Sequence, residues 1–289
     1  MQFETGSLPD LAAFAAANDL RHTPASPPPA YGGAVFEYLR NATVSDRVST
    51  TTGPLFEVGT IEGSLGGDQS RGTASGWTVT TSFSSTERRT YGYLAMQLER
   101  FLPQLLLDST RNDGVFGSSI PMPIATGQSL SLEGDFNSHF TLYAPKGYER
   151  DALYVFTPDL MALLIDETGD FDVEIVDDML FVYSTLAFDT TDAAVWDRIA
   201  RIRTVLGAKA LTQTDRYVDD RGAGQRSTAP LPGVSAGERG TRLQMGFAGT
   251  KAGGSGRGIL ALGIGTAVGV VAIIGVVGFF VLGAVFGTP

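Results

Sequence analysis

Thr157–Tyr183 reads TPDLMALLIDETGDFDVEIVDDMLFVY. This stretch decides the fold class. Thr157 suits a helix N-cap, Pro158 the first helical position and Asp159 the positive helix end. Leu160, Leu163 and Leu164 form a buried stripe, and Gly169 can stop the helix. Phe171–Ile175 then alternates apolar and acidic, Asp177-Asp178 reads as a turn, and Leu180–Tyr183 returns, so the spacing predicts a hairpin. In that pattern Asp172 and Glu174 belong on the solvent face of a strand. Helices and strands come in runs rather than as a βα alternation. That predicts an α+β fold, mainly antiparallel sheet with a few packed helices.

Working outward, Asp192 is placed to cap a helix whose stripe is Val195, Ile199, Ile202 and Leu206, with Arg198, Arg201 and Arg203 outside. Phe140–Tyr143 is a short strand. Near the start, Asp10 can cap a helix over 10–18, with Leu11, Phe14 and Ala15 on one face. The proline-rich Thr23–Pro29 reads as an extended connector. Trp77–Phe83 alternates cleanly, and Leu94, Met96 and Leu98 repeat the pattern after a polar turn over Ser84–Arg89. Leu55–Glu62 is a partner strand and the glycine-rich Gly63–Gly76 a long loop. Asn112–Gly127 reads as a connection, dividing a body of residues 1–220 into halves at 30–111 and 128–220.

The run Leu130–Tyr143, LSLEGDFNSHFTLY, with Ala152–Met161, ALYVFTPDLM, and the Phe171–Tyr183 pattern carries a resemblance. It is similar to uncharacterised actinobacterial single-span membrane proteins and to a broader bacterial membrane-protein family of unknown function. In that wider family a Glu and two Phe flank a short strand ahead of a Leu-Thr-Pro helix start. Glu133, Phe136, Phe140 and Thr157-Pro158 match, while Phe156 stands in place of the Leu. The resemblance implies an α+β second half and no activity.

Gly258–Phe286 reads GILALGIGTAVGVVAIIGVVGFFVLGAVF, without a charge. A bilayer core of ~30 Å needs about 20 apolar helical residues, so this run is expected to be a C-terminal transmembrane helix with 287–289 as a short extracytoplasmic tail. Residues 221–257 hold six basic residues against Glu238 alone, a net of +5, and are rich in Gly, Ala, Ser, Pro and Arg. Such a stretch is expected to be a disordered tether. The chain has 21 basic and 31 acidic residues in all, which leaves residues 1–220 at −15. The opening residues carry no basic segment ahead of their short apolar stretch, so no secretory signal is expected. With the basic flank, this places the body on the cytoplasmic side of the cell membrane in a single-pass topology. A body this acidic repels nucleic acid and anionic lipid, so neither is an expected partner for it, whereas the basic stretch before the apolar run attracts an anionic surface.

The chain contains no cysteine and only two histidines, His22 and His139. Disulfides, thiolate metal sites and cysteine nucleophiles are therefore excluded, and no cofactor is expected. No G-x-S-x-G elbow accompanies His139, and Gly63–Gly76 lacks a Gly-Lys-[Ser/Thr] phosphate loop. Asp166, Glu167, Asp170, Asp172, Glu174, Asp177 and Asp178 are dense enough for an oxygen-ligand cation site, but their spacing is not that of a calcium loop. In the apolar run Ala261, Gly265, Gly269 and Ala272 form a small-residue stripe that permits close packing of two spans, a route to a homodimer. The expected function is a non-enzymatic, C-terminally anchored domain that binds a protein partner or organises a process at the inner membrane face. The alternative is a membrane-associated hydrolase using carboxylates and hydroxyls.

Overall fold

The computed structural model describes residues 2–72, 78–113, 118–132, 135–214 and 242–245. In chain order the elements are α1 (Leu11–Ala17), β1 (Leu20–Ser26), α2 (Ala34–Tyr38), β2 (Leu39–Thr50), β3 (Phe56–Gly72), β4 (Thr78–Ser109), β5 (Ser129–Leu130), α3 (Phe136–His139), β6 (Phe140–Tyr143), α4 (Glu149–Val155), α5 (Pro158–Thr168), β7 (Asp172–Ser184) and α6 (Ala193–Thr214). The fold is α+β, with seven strands in one antiparallel sheet.

The sheet is organised by β4. Along one edge it pairs first with β3, from Gly72↔Thr78 to Phe56↔Met96, and then with β6 from Leu106↔Tyr143. Its other edge carries β7, from Gly92↔Ser184 to Leu107↔Val173. Strands β2 and β1 extend the sheet beyond β3, and β5 extends it beyond β6. Because β4 lies in 30–111 and pairs with β6 and β7 of 128–220 as well as with β3, the two stretches share one sheet.

Several polar runs differ from their sequence reading, for a common reason. Gly63–Gly72 is strand rather than loop, and Ser84–Arg89 continues β4 rather than turning. The two form a long ribbon in which Gly63 pairs Arg89 and Gly66 pairs Ser84. Ser84–Arg89 are exposed, so the ladder holds them without an apolar face to reveal it. Thr23–Pro29 is likewise strand up to Ser26. Pro24 is tolerated there because β1 is an edge strand. The expected hairpin over Phe171–Tyr183 is instead the single strand β7. Asp177 adopts φ 54° and pairs Leu102 where β4 carries the extra residues of a bulge, and β7 pairs β4 on both sides of it.

Both faces of the sheet are covered. On the first, Leu94, Leu105, Leu107, Val173, Ile175 and Val182 meet α1, α4, α5 and α6, centred on Trp196 and Phe14, whose rings lie 4.2 Å apart. The helix ends follow the sequence. Asp10 accepts from the N–H groups of Ala12 and Ala13, Thr157 from that of Leu160, and Asp192 from that of Ala194. Leu160 and Leu164 are buried and Leu163 is half-buried. Two arginines expected outside α6 cover aromatic rings, Arg198 over Phe171 and Arg203 over Phe56.

The second face carries Ile61, Tyr93, Ala95, Leu106, Phe181 and Tyr183. A thin layer covers it: α2, the strip Ile120–Ile124 and, from far along the chain, Leu243. Arg242–Met245 belong to the segment expected to be a disordered tether. They are ordered against the body, with Leu243 fully buried and an isolated antiparallel bridge between Ile124 and Met245. Trp77, Glu133, the other residues of 221–257 and all of 258–289 lie outside the described residues. So do Ala261, Gly265, Gly269 and Ala272. No helix among the described residues is long and apolar enough to cross a membrane.

The core is therefore incomplete at residue 220. A fragment ending at residue 220 should melt several degrees below one ending at residue 252, since burying a Leu contributes ~1.5–3 kcal/mol and each kcal/mol moves a domain of this size by about 2–4 °C. Equal melting temperatures by calorimetry would show that the body does not need Leu243.

Candidate functional site

Buried acidic side chains concentrate on the second face. Successive residues of a strand point to opposite faces, so Glu57 of β3, Asp108 of β4 and Asp172 and Glu174 of β7 all project to the side under the thin cover. All four are buried. Asp172 and Glu174 were expected in solvent. Their alternation with Val173 and Ile175 is real, but both faces of β7 are interior, so alternation separates two cores rather than core from water.

Each carboxylate is met by its own donors. Glu174 accepts from the N–H of Ala34 at 2.8 Å, the Tyr183 hydroxyl at 3.0 Å and the Gln104 amide at 2.7 Å. Burial pushes its pKa up against the pull of these donors. Gly33 makes the first of them reachable. A Cβ there would collide with the Tyr183 hydroxyl and lie 2.9 Å from the Phe181 ring, so only glycine lets α2 start this close to the sheet. Glu57 accepts from Tyr93 at 2.7 Å and Tyr31 at 3.1 Å and pairs with Arg47 at 2.6 Å. Tyr93 lies over its cross-strand partner Gly59, where a Cβ would come within 2.9 Å of the hydroxyl. Burial, then the Glu57 charge, hold both phenols protonated.

Asp108 and Asp172 are less well served. The β4–β7 register ends at Leu107↔Val173, and one step further sets these two opposite each other. Asp172 accepts from the Ser109 N–H at 2.8 Å and the Ser119 hydroxyl at 2.6 Å. Asp108 accepts from the Ser118 hydroxyl at 2.7 Å. Burial raises Asp172 to about 6, its donors limiting the rise. Asp108 is pushed up to about 8 by burial and then by the charge on Asp172. The pair thus shares a charge near neutrality, Asp172 ionising first.

The docked segment reads the same face. The Leu243 N–H donates to Gln104 Oε1 at 2.9 Å, the amide oxygen of the side chain that holds Glu174. Gln128 brackets Gln244 as a strand would: its Oε1 accepts the Gln244 N–H at 2.7 Å and its Nε2 donates to the Gln244 carbonyl at 2.8 Å. That carbonyl also accepts from the Ala125 N–H at 2.8 Å. Arg242 pairs with Asp177 and donates to the Gly32 carbonyl at 3.1 Å; Tyr38 meets Met245 Sδ.

The remaining acidic residues of 166–178 do not converge. Glu167 pairs with Arg201 and Asp170 with Arg198, while Asp178 accepts from Gln97 at 3.1 Å. No group of three metal-ligating side chains comes together among the described residues. His139 acts through its carbonyl, which accepts the Thr110 N–H at 2.9 Å, and His22 lies 3.7 Å from Asp46. Where β4 bulges between Gln97 and Leu102, an open depression is lined by Pro54, Leu98 and Phe101, the last 59% exposed. Compared with known proteins, the chain matches no family model, no curated protein and no solved structure.

The raised pair sets a pH dependence. An unfolded Asp ionises near ~3.9, so between that value and about 8 the unfolded chain releases a proton that folded Asp108 retains. Stability due to this group is full below ~4 and falls as pH rises towards 8. Asp108→Asn keeps an acceptor for Ser118 without the charge. Its melting temperature should exceed that of the wild type by a margin that widens from pH 5 to pH 8; a constant margin would show that Asp108 ionises normally.

Proposed function

We propose that the chain is a C-terminally anchored membrane protein whose acidic body works at the cytoplasmic face as a binding or organising module. The observation that carries this reading is the seating of Arg242–Met245 in the body, 12 residues ahead of an uncharged apolar run of 29 residues. The chain that leads into the run is thereby also part of the fold. The run is long enough to span, and the +5 flank at residues 221–257 keeps that side in the cytoplasm. The buried carboxylates Glu57 and Glu174 fit this role, because their donors are spent on holding the sheet cover in place.

A second reading rests on Asp108 and Asp172. Two carboxyls held apart near 6 and 8, beside the Ser118 and Ser119 hydroxyls, have the pattern of an acid–base pair, and a general acid works best with a pKa near the operating pH. That favours hydrolysis. Their burial favours the structural role, since a substrate must reach the group that protonates it.

Two measurements test the readings. The full chain expressed in bacteria should stay with the membrane after an alkaline carbonate wash, a cytoplasm-dependent reporter at Met1 should fluoresce, and an externally active enzyme after Pro289 should work. Extraction by carbonate, or the reversed reporter pair, would overturn the anchored reading. Turnover of generic ester, phosphate or glycoside substrates that Asp108→Asn abolishes would install the hydrolase in its place.

A further inference from the structure

We infer that Arg242–Met245 is a reversible latch that sets how far the body can stand from the membrane, and that anionic lipid headgroups compete for it through Arg242. The inference rests on the anchored reading above. The segment is held by main-chain hydrogen bonds to Gln104, Gln128 and Ala125, by one buried side chain and by one ion pair. Release leaves the sheet intact. Glu174 keeps the Ala34, Tyr183 and Gln104 donors, while the body loses the Leu243 N–H donor to Gln104 Oε1, the Gln128 and Ala125 contacts with Gln244, the Arg242 contacts with Gly32 and Asp177, the Tyr38–Met245 contact and the Leu243 plug. The buried carboxylate is never left unpartnered. A contact whose loss strands no buried charge can open without unfolding what lies beneath it.

Chain length turns this contact into a distance. With the segment seated, 12 residues, 246–257, separate Met245 from the apolar run, and at ~3.3–3.6 Å each they span at most about 43 Å. With it released, 43 residues, 215–257, follow α6, and the limit rises to about 150 Å. Four residues thus change the permitted reach more than threefold. Arg242 supplies the trigger. Seated, its guanidinium is tied to Asp177 and the Gly32 carbonyl; released, it adds to the basic flank of the run. An anionic leaflet attracts such residues and a zwitterionic one does not. The exposed side of Asp177 makes the pair sensitive to salt as well.

The absence of cysteine allows one label to be placed cleanly. The full chain carrying Thr52→Cys, at an exposed turn, is labelled with a donor fluorophore and placed in nanodiscs with acceptor-labelled headgroups; exchange of the Leu243 and Gln244 amides is followed in parallel. In zwitterionic discs both amides should be protected and energy transfer high. Leu243→Asp, and separately the milder Arg242→Gln, should raise amide exchange, by at least about tenfold for the former, and lower transfer, with cooperative melting retained. Replacing a third of the lipid by an anionic one should shift the wild type in the same direction and leave Leu243→Asp unchanged. Unprotected amides in the wild type, or deprotection without loss of transfer, would overturn the latch. Failure of the chain to enter nanodiscs would overturn the anchored reading instead, and protected amides in that chain would leave the docking itself standing.

Discussion

A carboxylate taken out of water must find donors, and four such groups lie on one face of this sheet. That constraint shapes the rest. The covering layer supplies the Ala34 N–H, the Tyr31 phenol and the Ser118 and Ser119 hydroxyls, and the sheet itself supplies Tyr93, Tyr183 and Gln104, in place of water. The start of α2 lies where it does because the Ala34 N–H reaches Glu174, and Gly33 is required because nothing larger fits between that helix and Tyr183. The strip after residue 117 returns over the sheet to bring Ser118 and Ser119 to Asp108 and Asp172. Gln104 then passes the pattern outward: its Nε2 serves Glu174 and its Oε1 takes the Leu243 N–H. A residue 139 positions away in sequence is thus seated by the same side chain that satisfies the buried carboxylate.

The legible part of the fold was the part with one dry face. Caps at Asp10, Thr157 and Asp192 and the stripe Ile199, Ile202 and Leu206 follow directly from local chemistry and helical period. Leu94, Met96 and Leu98 of β4 and the start of β3 also show a strand pattern, although both faces of these stretches are largely buried. The period-2 rule misleads where its assumption fails. Asp172 and Glu174 alternate with Val173 and Ile175, and a sequence carries no mark that says whether the polar side is wet or buried under donors supplied from elsewhere. The exposed ribbon fails in the opposite sense, because Gly63–Gly72 and Ser84–Arg89 have no dry face and are strand by pairing alone.

Arg242–Met245 escapes a composition-based reading for a related reason. Its neighbours are glycine, alanine and arginine, and a window average over 221–257 hides a single Arg-Leu-Gln-Met unit. Leu243 is the one fully buried side chain of the unit; main-chain atoms make the hydrogen bonds to Gln104, Gln128 and Ala125, and the Arg242 and Met245 side chains add contacts to Asp177, Gly32 and Tyr38. The signal available is the local clustering of Leu243, Met245 and Phe247 in a stretch whose other large apolar residues are Leu231 and Val234. Period 2 between them is the mark of an extended segment, and Ile124 pairs with Met245 in that geometry. Which groove it enters is set by Gln104 and Gln128, two side chains that look like ordinary surface residues until their amides are seen to imitate a strand edge.

The four carboxylates also differ in how completely they are answered, and the difference separates scaffolding from latent chemistry. Glu57 faces two phenols and an arginine, and Glu174 three neutral donors with Arg242 adding a favourable charge; both are closed networks. Asp108 has one serine hydroxyl and a neighbouring carboxylate that opposes its ionisation. A group in that position keeps its proton where ordinary carboxyls have lost theirs. Its cover is the strip at Ser118–Ile120, and the same strip runs on to Ile124 and Ala125, which pair with Met245 and Gln244 of the docked segment. A hydrolytic role would therefore demand movement of the 118–120 strip, whose Ser118 and Ser119 hydroxyls sit on Asp108 and Asp172.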